Sequence, residues 1–214
     1  MEKSIDFFHK KGIYIEEARS RISIVLELSY QGKIDEGIAH LITAEKILKG
    51  SYVERHSLLN NLAALNIYSG KFGSDITLNH LLNARATVTN EFELFIISMN
   101  LMIVLTLTHR ITEAKHEINF LVERLRQYRP KEKEIRRIAF YNISVFYRSI
   151  SLFKKSTEYL RKAKEVFPDF DMEAWNKKFD IENYTDTNYK VKMKYFFQPT
   201  FIYFGPTSCN FPSK

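Results

Sequence analysis

The stretch QGKIDEGIAHLITAEKIL, residues 31–48, predicts a tight turn that leads into a helix. Gly32 follows a segment in which Ile22, Val25 and Leu26 share one helical face, and a glycine after the last periodic residue is a helix C-cap signal. Negative charge then opens the next helix, where it complements the helix dipole. The apolar positions of that second helix are Ile34, Ile38, Leu41, Ala44, Ile47 and Leu48. Together the two segments predict an antiparallel helix pair.

The same unit recurs along the chain. Helical apolar patterns over 58–68, 92–107 and 135–150 each run up to a short break. The equivalent turn positions are Gly32, Gly70, His109 and Ser151, which are 38, 39 and 42 residues apart. A recurrence every 38–42 residues is typical of stacked helical repeats.

The units resemble the tetratricopeptide repeat family, whose pattern places small and large residues at fixed distances after the turn. The first unit reads Gly32, Ile34, Gly37, Leu41, Ala44, Lys49. The second begins Gly70, Phe72 and then slips by two residues to Thr77, Leu81, Ala84. The third reads His109, Ile111, Ala114, Ile118, Leu121, Arg126, and the fourth Ser151, Phe153, Ser156, Leu160, Ala163, Pro168.

This resemblance covers residues 14–168 and implies an all-α fold. The expected architecture is a right-handed superhelical solenoid of about four antiparallel helix pairs. Its periods exceed the family's usual length of about 34 residues, which implies longer helices or turns. An α-helical bundle without true repeats is the alternative.

The composition agrees with long helices and short turns. Hydrophobic residues make up 45% and charged residues 27% of the 214 residues, as in an ordinary globular protein. The first 129 residues contain no proline, whereas sheet-rich folds need frequent turn residues. The single cysteine, Cys209, excludes an internal disulfide and a cysteine-cluster zinc site.

The location expected from the sequence is cytoplasmic. Glu2 and Asp6 stand where the start of a signal peptide would be basic. The apolar run from Leu94 to Leu107 is shorter than the roughly 20 residues that span a bilayer. We therefore expect a helix buried within the stack and no membrane segment.

An asparagine recurs on the first helix of three units, nine residues before each turn position. Asn61, Asn100 and Asn142 occupy this place, and the first unit has Ser23. The family resemblance places these helices on the concave face, where an amide can bond the backbone of an extended peptide through both donor and acceptor. A purely structural role for the asparagines is the alternative. The predicted partner-binding residues are Asn60, Asn61, Tyr68, Asn100, Tyr141, Asn142 and Arg148.

Positive charge is concentrated in the second half of the chain. Residues 1–107 hold 11 basic and 12 acidic side chains, and residues 108–214 hold 21 and 13, within a net charge of +7. The densest basic patch consists of Arg124, Arg126, Arg129, Lys131, Lys133, Arg136 and Arg137. Such a cluster could follow phosphates. Because Glu123, Glu132 and Glu134 are interleaved with it, a solvated surface is the commoner interpretation, and an acidic protein partner is a third.

No catalytic or cofactor motif is recognisable. His109, Glu113 and His116 are the nearest approach to a metal-binding pattern, but their spacing does not match His-Glu-x-x-His. A glycine-rich phosphate loop is also missing from the sequence. We expect no enzyme activity, no metal and no cofactor.

The C-terminal region changes character after the repeats. Met172, Trp175 and Phe179 predict a capping helix over 169–182, which closes a repeat domain of 1–168. Residues 183–214 form a linker and a strand-like tail. The tail's alternating positions are Tyr189, Val191, Met193, Tyr195, Phe197, Pro199, Phe201 and Tyr203. A lone strand cannot satisfy its own backbone, so this tail must fold back as a hairpin, lie along its own solenoid or pair with another chain. Of these three arrangements, packing of the tail on its own solenoid is the one we expect.

The functional hypothesis is therefore a non-catalytic protein-protein interaction module with a regulatory, sensor or scaffold role. Its expected partner is a peptide or a protein on the concave face. The alternative is a nucleic-acid-binding helical repeat that uses the basic second half. Oligomeric state does not follow from the sequence.

Overall fold

The computed structural model describes residues 2–49, 54–73, 75–127, 133–166 and 197–202. Within these ranges the chain is helical apart from turns and a segment at 197–202 without regular secondary structure, and it contains no β-strand. The helices are α1 (Glu2–Lys11), α2 (Tyr14–Tyr30), α3 (Ile34–Leu48), α4 (Arg55–Tyr68), α5 (Asp75–Thr87), α6 (Glu91–Leu107), α7 (Ile111–Gln127), α8 (Lys133–Ser149) and α9 (Phe153–Val166).

The helices pack as four neighbouring pairs with α1 added at the N-terminal end. The pairs are α2 with α3, α4 with α5, α6 with α7 and α8 with α9. The first helices of successive pairs also contact one another, so that α2, α4, α6 and α8 form a row. We call this the inner row. The expected pairing of helices is confirmed, and the right-handed superhelical course stays a prediction.

Each predicted turn position lies in the left-handed region of backbone conformation. The φ angles are +74° at Gly32, +79° at Gly70, +61° at His109 and +59° at Ser151. All four turns share one hydrogen-bond pattern, in which the next residue's N–H reaches back five residues, as from Lys33 to the Leu28 carbonyl at 2.9 Å. This 6→1 bond is the signature of a Schellman C-cap. The four turns are thus structurally equivalent although two of them lack glycine.

The small and large positions of the repeat are buried as the family pattern implies. The small residues Gly37, Thr77, Ala114 and Ser156 lie where a second helix approaches the first. A Cβ at Gly37 would come within 3.3 Å of a Leu65 methyl, so α3 and α4 are already in close contact there. The large residues at the core of each pair are Leu41, Leu81, Ile118 and Leu160. The two-residue slip of the second unit falls between Gly70 and the start of α5 at Asp75.

Helix α6 explains the long apolar run. All residues from Phe95 to Leu107 are buried, because the helix is covered by α4, α5, α7 and α8. Its N-terminus is capped by Asn90, whose side chain accepts hydrogen bonds from the N–H groups of Phe92 and Glu93 at 2.9 and 3.2 Å. Across the described ranges, no helix combines the length and the apolar character needed to cross a bilayer.

Several sequence predictions lie outside the described residues. These are the capping helix at 169–182, the polar linker, and the tail on either side of 197–202. Arg129 and Lys131 of the basic patch also lie outside them.

The turn geometry predicts that glycine stabilises the two turns that lack it. Removing a Cβ from the left-handed conformation should gain more than glycine loses in the unfolded chain, so His109→Gly and Ser151→Gly should each raise the free energy of unfolding by about 0.5 kcal/mol. Urea unfolding followed by circular dichroism measures the change. Gly32→Ala is the matched control. No atom lies within 4 Å of its added methyl group, so it should destabilise through backbone strain alone. An unchanged or lower stability in both glycine variants would contradict this interpretation of the turns.

Candidate functional site

The three recurring asparagines lie on consecutive helices of the inner row. Asn61 is on α4, Asn100 on α6 and Asn142 on α8, and each is fully buried. Each precedes its Schellman turn by nine residues, and the helices that carry them are in contact. The repeat therefore places three carboxamides along one line.

The carboxamides bind the backbone of the chain's own residues 197–202. Asn142 donates to the Gln198 carbonyl and accepts from the Gln198 N–H, both at 2.9 Å. Asn100 makes the same pair with Thr200 at 2.6 and 2.8 Å. Asn61 makes it with Ile202 at 2.8 and 2.9 Å. We call these three bidentate contacts the asparagine ladder.

The ladder binds every second residue of an extended backbone. In an extended chain the N–H and C=O of one residue point to the same side, and alternate residues point to opposite sides. One carboxamide supplies both the acceptor and the donor that such a residue needs. The bound segment runs from α8 towards α4, opposite to the order of the repeats.

Asn60 joins two rungs of the ladder. Its side chain donates to the Thr200 carbonyl at 3.1 Å and to Oδ1 of Asn61 at 3.2 Å, and it accepts from Asn100 at 2.9 Å. The remaining N–H of Asn61 reaches the Ile22 carbonyl on α2 at 3.3 Å. The buried amides are thus satisfied by each other, by α2 and by the segment, as buried polar groups must be.

The residues between the rungs are apolar. Phe197 and Phe201 are each 3% exposed, and Pro199 between them is also buried. The Phe201 ring stacks on Tyr68, with centroids 5.8 Å apart and planes 12° apart. Burial, with a smaller contribution from Tyr30, raises the pKa of Tyr68 to about 12. Proline fits at 199 because the ladder takes no N–H from that residue.

Two polar side chains of the segment meet different surroundings. Gln198 accepts a hydrogen bond from Arg137 of α8 at 3.3 Å. The Thr200 hydroxyl is buried and has no hydrogen-bond partner within the described part of the chain. The ladder therefore holds Thr200 through its backbone and not through its hydroxyl.

Two other predicted partner-binding residues lie on α8, the helix that carries Asn142. Tyr141 is buried beside Asn142. The guanidinium carbon of Arg148 lies 4.9 Å from the centroid of the Phe153 ring at the start of α9. The geometry gives Arg148 a packing role between the two helices of the fourth pair.

Much of the described basic patch is paired with carboxylates. Arg124 contacts Glu91 at 3.2 Å and Arg126 contacts Glu123 at 3.7 Å. Arg137 donates to Glu134 at 3.0 Å, which holds the pKa of that carboxyl below its usual range. Arg136 lies over the Phe140 ring, and Lys133 begins α8. These pairs reduce the positive charge that the patch offers to a phosphate backbone.

The histidine group shows no metal-binding arrangement. His109 lies in the left-handed turn, and Glu113 is bound by Arg110 at 2.6 Å. Among the described residues, no cluster of three or more metal-ligating side chains is present.

Sequence reasoning found the ladder residues but left the occupant of their site open. The signals for that occupant were the period-two pattern of the tail and the place of its proline. Pro199 falls in register with the aromatic residues and out of register with Gln198, Thr200 and Ile202. The expectation that the tail packs on its own helices is confirmed for residues 197–202.

Comparisons with protein-family models, with curated proteins and with solved structures found no match to this chain.

Asn100→Asp tests whether the ladder holds the segment. The carboxylate keeps the shape of asparagine but would face the Thr200 carbonyl and Oδ1 of Asn60 without a proton to donate. At pH 7 we expect docking of the segment to weaken by about 2 kcal/mol, which is roughly 30-fold faster exchange of the Thr200 amide hydrogen.

Protonation of the new carboxyl restores one donor, and its pKa should be raised by the buried site. The loss relative to wild type should therefore shrink as pH falls through that pKa and be largest above it. Nuclear magnetic resonance at matched pH measures the exchange. Ser98→Ala is the control, since that buried hydroxyl has no hydrogen-bond partner in the described ranges. Wild-type protection of Thr200 in Asn100→Asp at pH 7 would contradict the prediction.

Two substitutions at Thr200 separate backbone from side-chain recognition. Thr200→Pro removes the N–H that Asn100 accepts, and we expect it to weaken docking by about 3 kcal/mol and speed Ile202 amide exchange on the order of 100-fold. Thr200→Val keeps the N–H and removes only the unpaired hydroxyl, so docking should be equal or tighter. Equal protection of Ile202 in the two variants would show that the rung at Thr200 is dispensable.

Proposed function

We propose that this chain is a tetratricopeptide-like repeat module that binds an extended peptide segment of a protein partner along its inner row. The role is non-catalytic, as a regulatory or scaffolding element. The observation that carries the proposal is the asparagine ladder, which binds both polar groups of three alternate backbone residues. Such contacts require an extended backbone but no particular side chain.

The spacing of the ladder supports a concave inner row. Two residues of extended chain cover roughly 7 Å, whereas the axes of packed helices lie about 8–10 Å apart. For one carboxamide per helix to bind every second residue, the side-chain tips must lie closer together than the helix axes. A row that curves towards the bound segment meets this requirement, as expected for a right-handed superhelical solenoid.

The repeat register supports the family resemblance. The Schellman turns recur in all four units, and the buried small and large residues follow at the positions that the tetratricopeptide pattern assigns in three of them and two residues later in the second. The asparagines then fall on the helices that line the concave face in that family. Binding of nucleic acid by the basic patch stays the alternative, and it has less support because Arg124, Arg126 and Arg137 are each paired with a carboxylate.

Peptide binding in trans tests the proposal directly. The protein is the full chain carrying Thr200→Pro and Ile202→Pro, which removes two of the N–H groups that hold its own segment. The probe is a fluorescent synthetic peptide of residues 196–203 with lysines added for solubility. Fluorescence anisotropy gives the dissociation constant, and circular dichroism confirms that the variant remains helical.

Two N-methylated peptides then report on the ladder. Methylation at the Thr200 nitrogen blocks a rung and should weaken binding at least about 10-fold, since it removes one hydrogen bond and adds a clash. Methylation at the Phe201 nitrogen, which faces away from the ladder, should weaken it much less. The proposal would be refuted if the unmodified peptide did not bind at concentrations up to about 1 mM. Equal effects of the two methyl groups on binding would refute it as well.

A further inference from the structure

The asparagine ladder is fully occupied by the chain itself. Each of the three carboxamides accepts a hydrogen bond from one backbone N–H and donates one to a backbone carbonyl, at residues 198, 200 and 202. Asn61, Asn100 and Asn142 are 0% exposed with the segment in place. A second backbone has no free rung to bind. Occupation by the segment and by a partner are therefore mutually exclusive.

The segment is a tethered ligand. Residues 167–196 connect it covalently to α9, so that its docking is intramolecular. A covalent connection gives the segment an effective concentration at the asparagine ladder that is set by the reach of the intervening chain. A free peptide with the same intrinsic affinity must exceed that concentration to compete.

The contacts that hold the segment can be replaced by those of another peptide. Its rungs are neutral hydrogen bonds, which water replaces on both sides when the segment leaves, so their net contribution is modest. The Thr200 hydroxyl is buried without a partner in the described ranges, which makes the occupant imperfect for its own site. The apolar anchors are few, chiefly Phe201 on Tyr68, Phe197 and Ile202.

We infer that residues 197–202 are a built-in competitor that occupies the asparagine ladder, and that a partner acts by displacing them. The inference rests on the proposed function. The partner is an extended peptide segment with the same alternation as the tail. It has aromatic or large apolar side chains in the places of Phe197 and Phe201, and a backbone N–H in the places of Gln198, Thr200 and Ile202. Proline is tolerated in the place of Pro199 and excluded from the three rung positions.

The test compares wild type with the released chain, using the fluorescent peptide of residues 196–203. We expect the full-length Thr200→Pro, Ile202→Pro variant to bind at least about 10-fold more tightly than wild type, because its own segment no longer competes. Full-length Thr200→Val is the matched control and should bind as weakly as wild type or more weakly. In wild type, the observed association rate should also level off with peptide concentration, at the rate at which the segment leaves.

The outcomes separate the two claims. Measurable and equal binding by wild type and the released variant would overturn the built-in competitor and leave the peptide-binding groove intact. Binding by neither protein would overturn the proposed function and the inference together. A wild-type dimer that is lost in the released variant would mean that a neighbouring copy supplies the segment, and this too would overturn a tethered competitor.

A second variant keeps the test valid if the proline variant misfolds. Full-length Phe201→Ala keeps every backbone donor and removes only the ring that stacks on Tyr68. It should increase peptide affinity over wild type by an intermediate factor. If Phe201→Ala binds no more tightly than wild type while the segment is shown to be undocked by amide exchange, the competitor role is refuted.

Discussion

The match between one asparagine carboxamide and one extended residue determines how residues 197–202 bind to the inner row. An asparagine side chain offers a donor and an acceptor side by side, which is what an extended residue presents on each alternate face. The orientation of each amide is thereby fixed by its partner, since its oxygen must face the N–H and its nitrogen the carbonyl. Three such matches in line are possible only if three helices present the same position at a constant interval. The repeat supplies that interval, so the regularity of the scaffold is a condition of the binding.

The repeat could be predicted because each of its signals is local. A glycine or polar residue after an apolar helix indicates a left-handed cap, and Gly32, Gly70, His109 and Ser151 all adopt it. The small residue at Gly37 and its equivalents indicates close helix contact, and a Cβ there would indeed meet Leu65. The asparagines could be predicted for the same reason, since their distance from the turn is constant. The pattern of residues 31–48 thus identifies the equivalent turns, although the spacing between them and the slip in the second unit had to be read from the other units.

The occupant of the site required information that no local pattern contains. Contacts such as that from Asn61 to Ile202 join residues 141 positions apart, and the sequence between them does not state which surface the tail will meet. Alternation predicts an extended tail, and the need to satisfy its backbone predicts a partner. Packing on its own helices is the favoured partner, but a hairpin and a second chain also satisfy both rules. The basic patch shows a related limit. Charge density was evident from the sequence, whereas the pairing of Arg124 with Glu91 depends on packing between helices.

For the proposed peptide partner, the ladder separates the contacts that are common to all extended chains from those that select a sequence. Backbone contacts to Gln198, Thr200 and Ile202 are available to any extended chain that lacks proline at those positions, and they set direction and register. Selection among sequences must then come from the interleaved residues, where Phe201 stacks on Tyr68 and Phe197 is buried. Phe197 and Phe201 belong to the hydrophobic core, so the segment stabilises the helices that bind it. A partner that displaces the segment has to replace this apolar contact as well as the hydrogen bonds. The aromatic pattern of the tail therefore indicates which side chains a partner peptide needs.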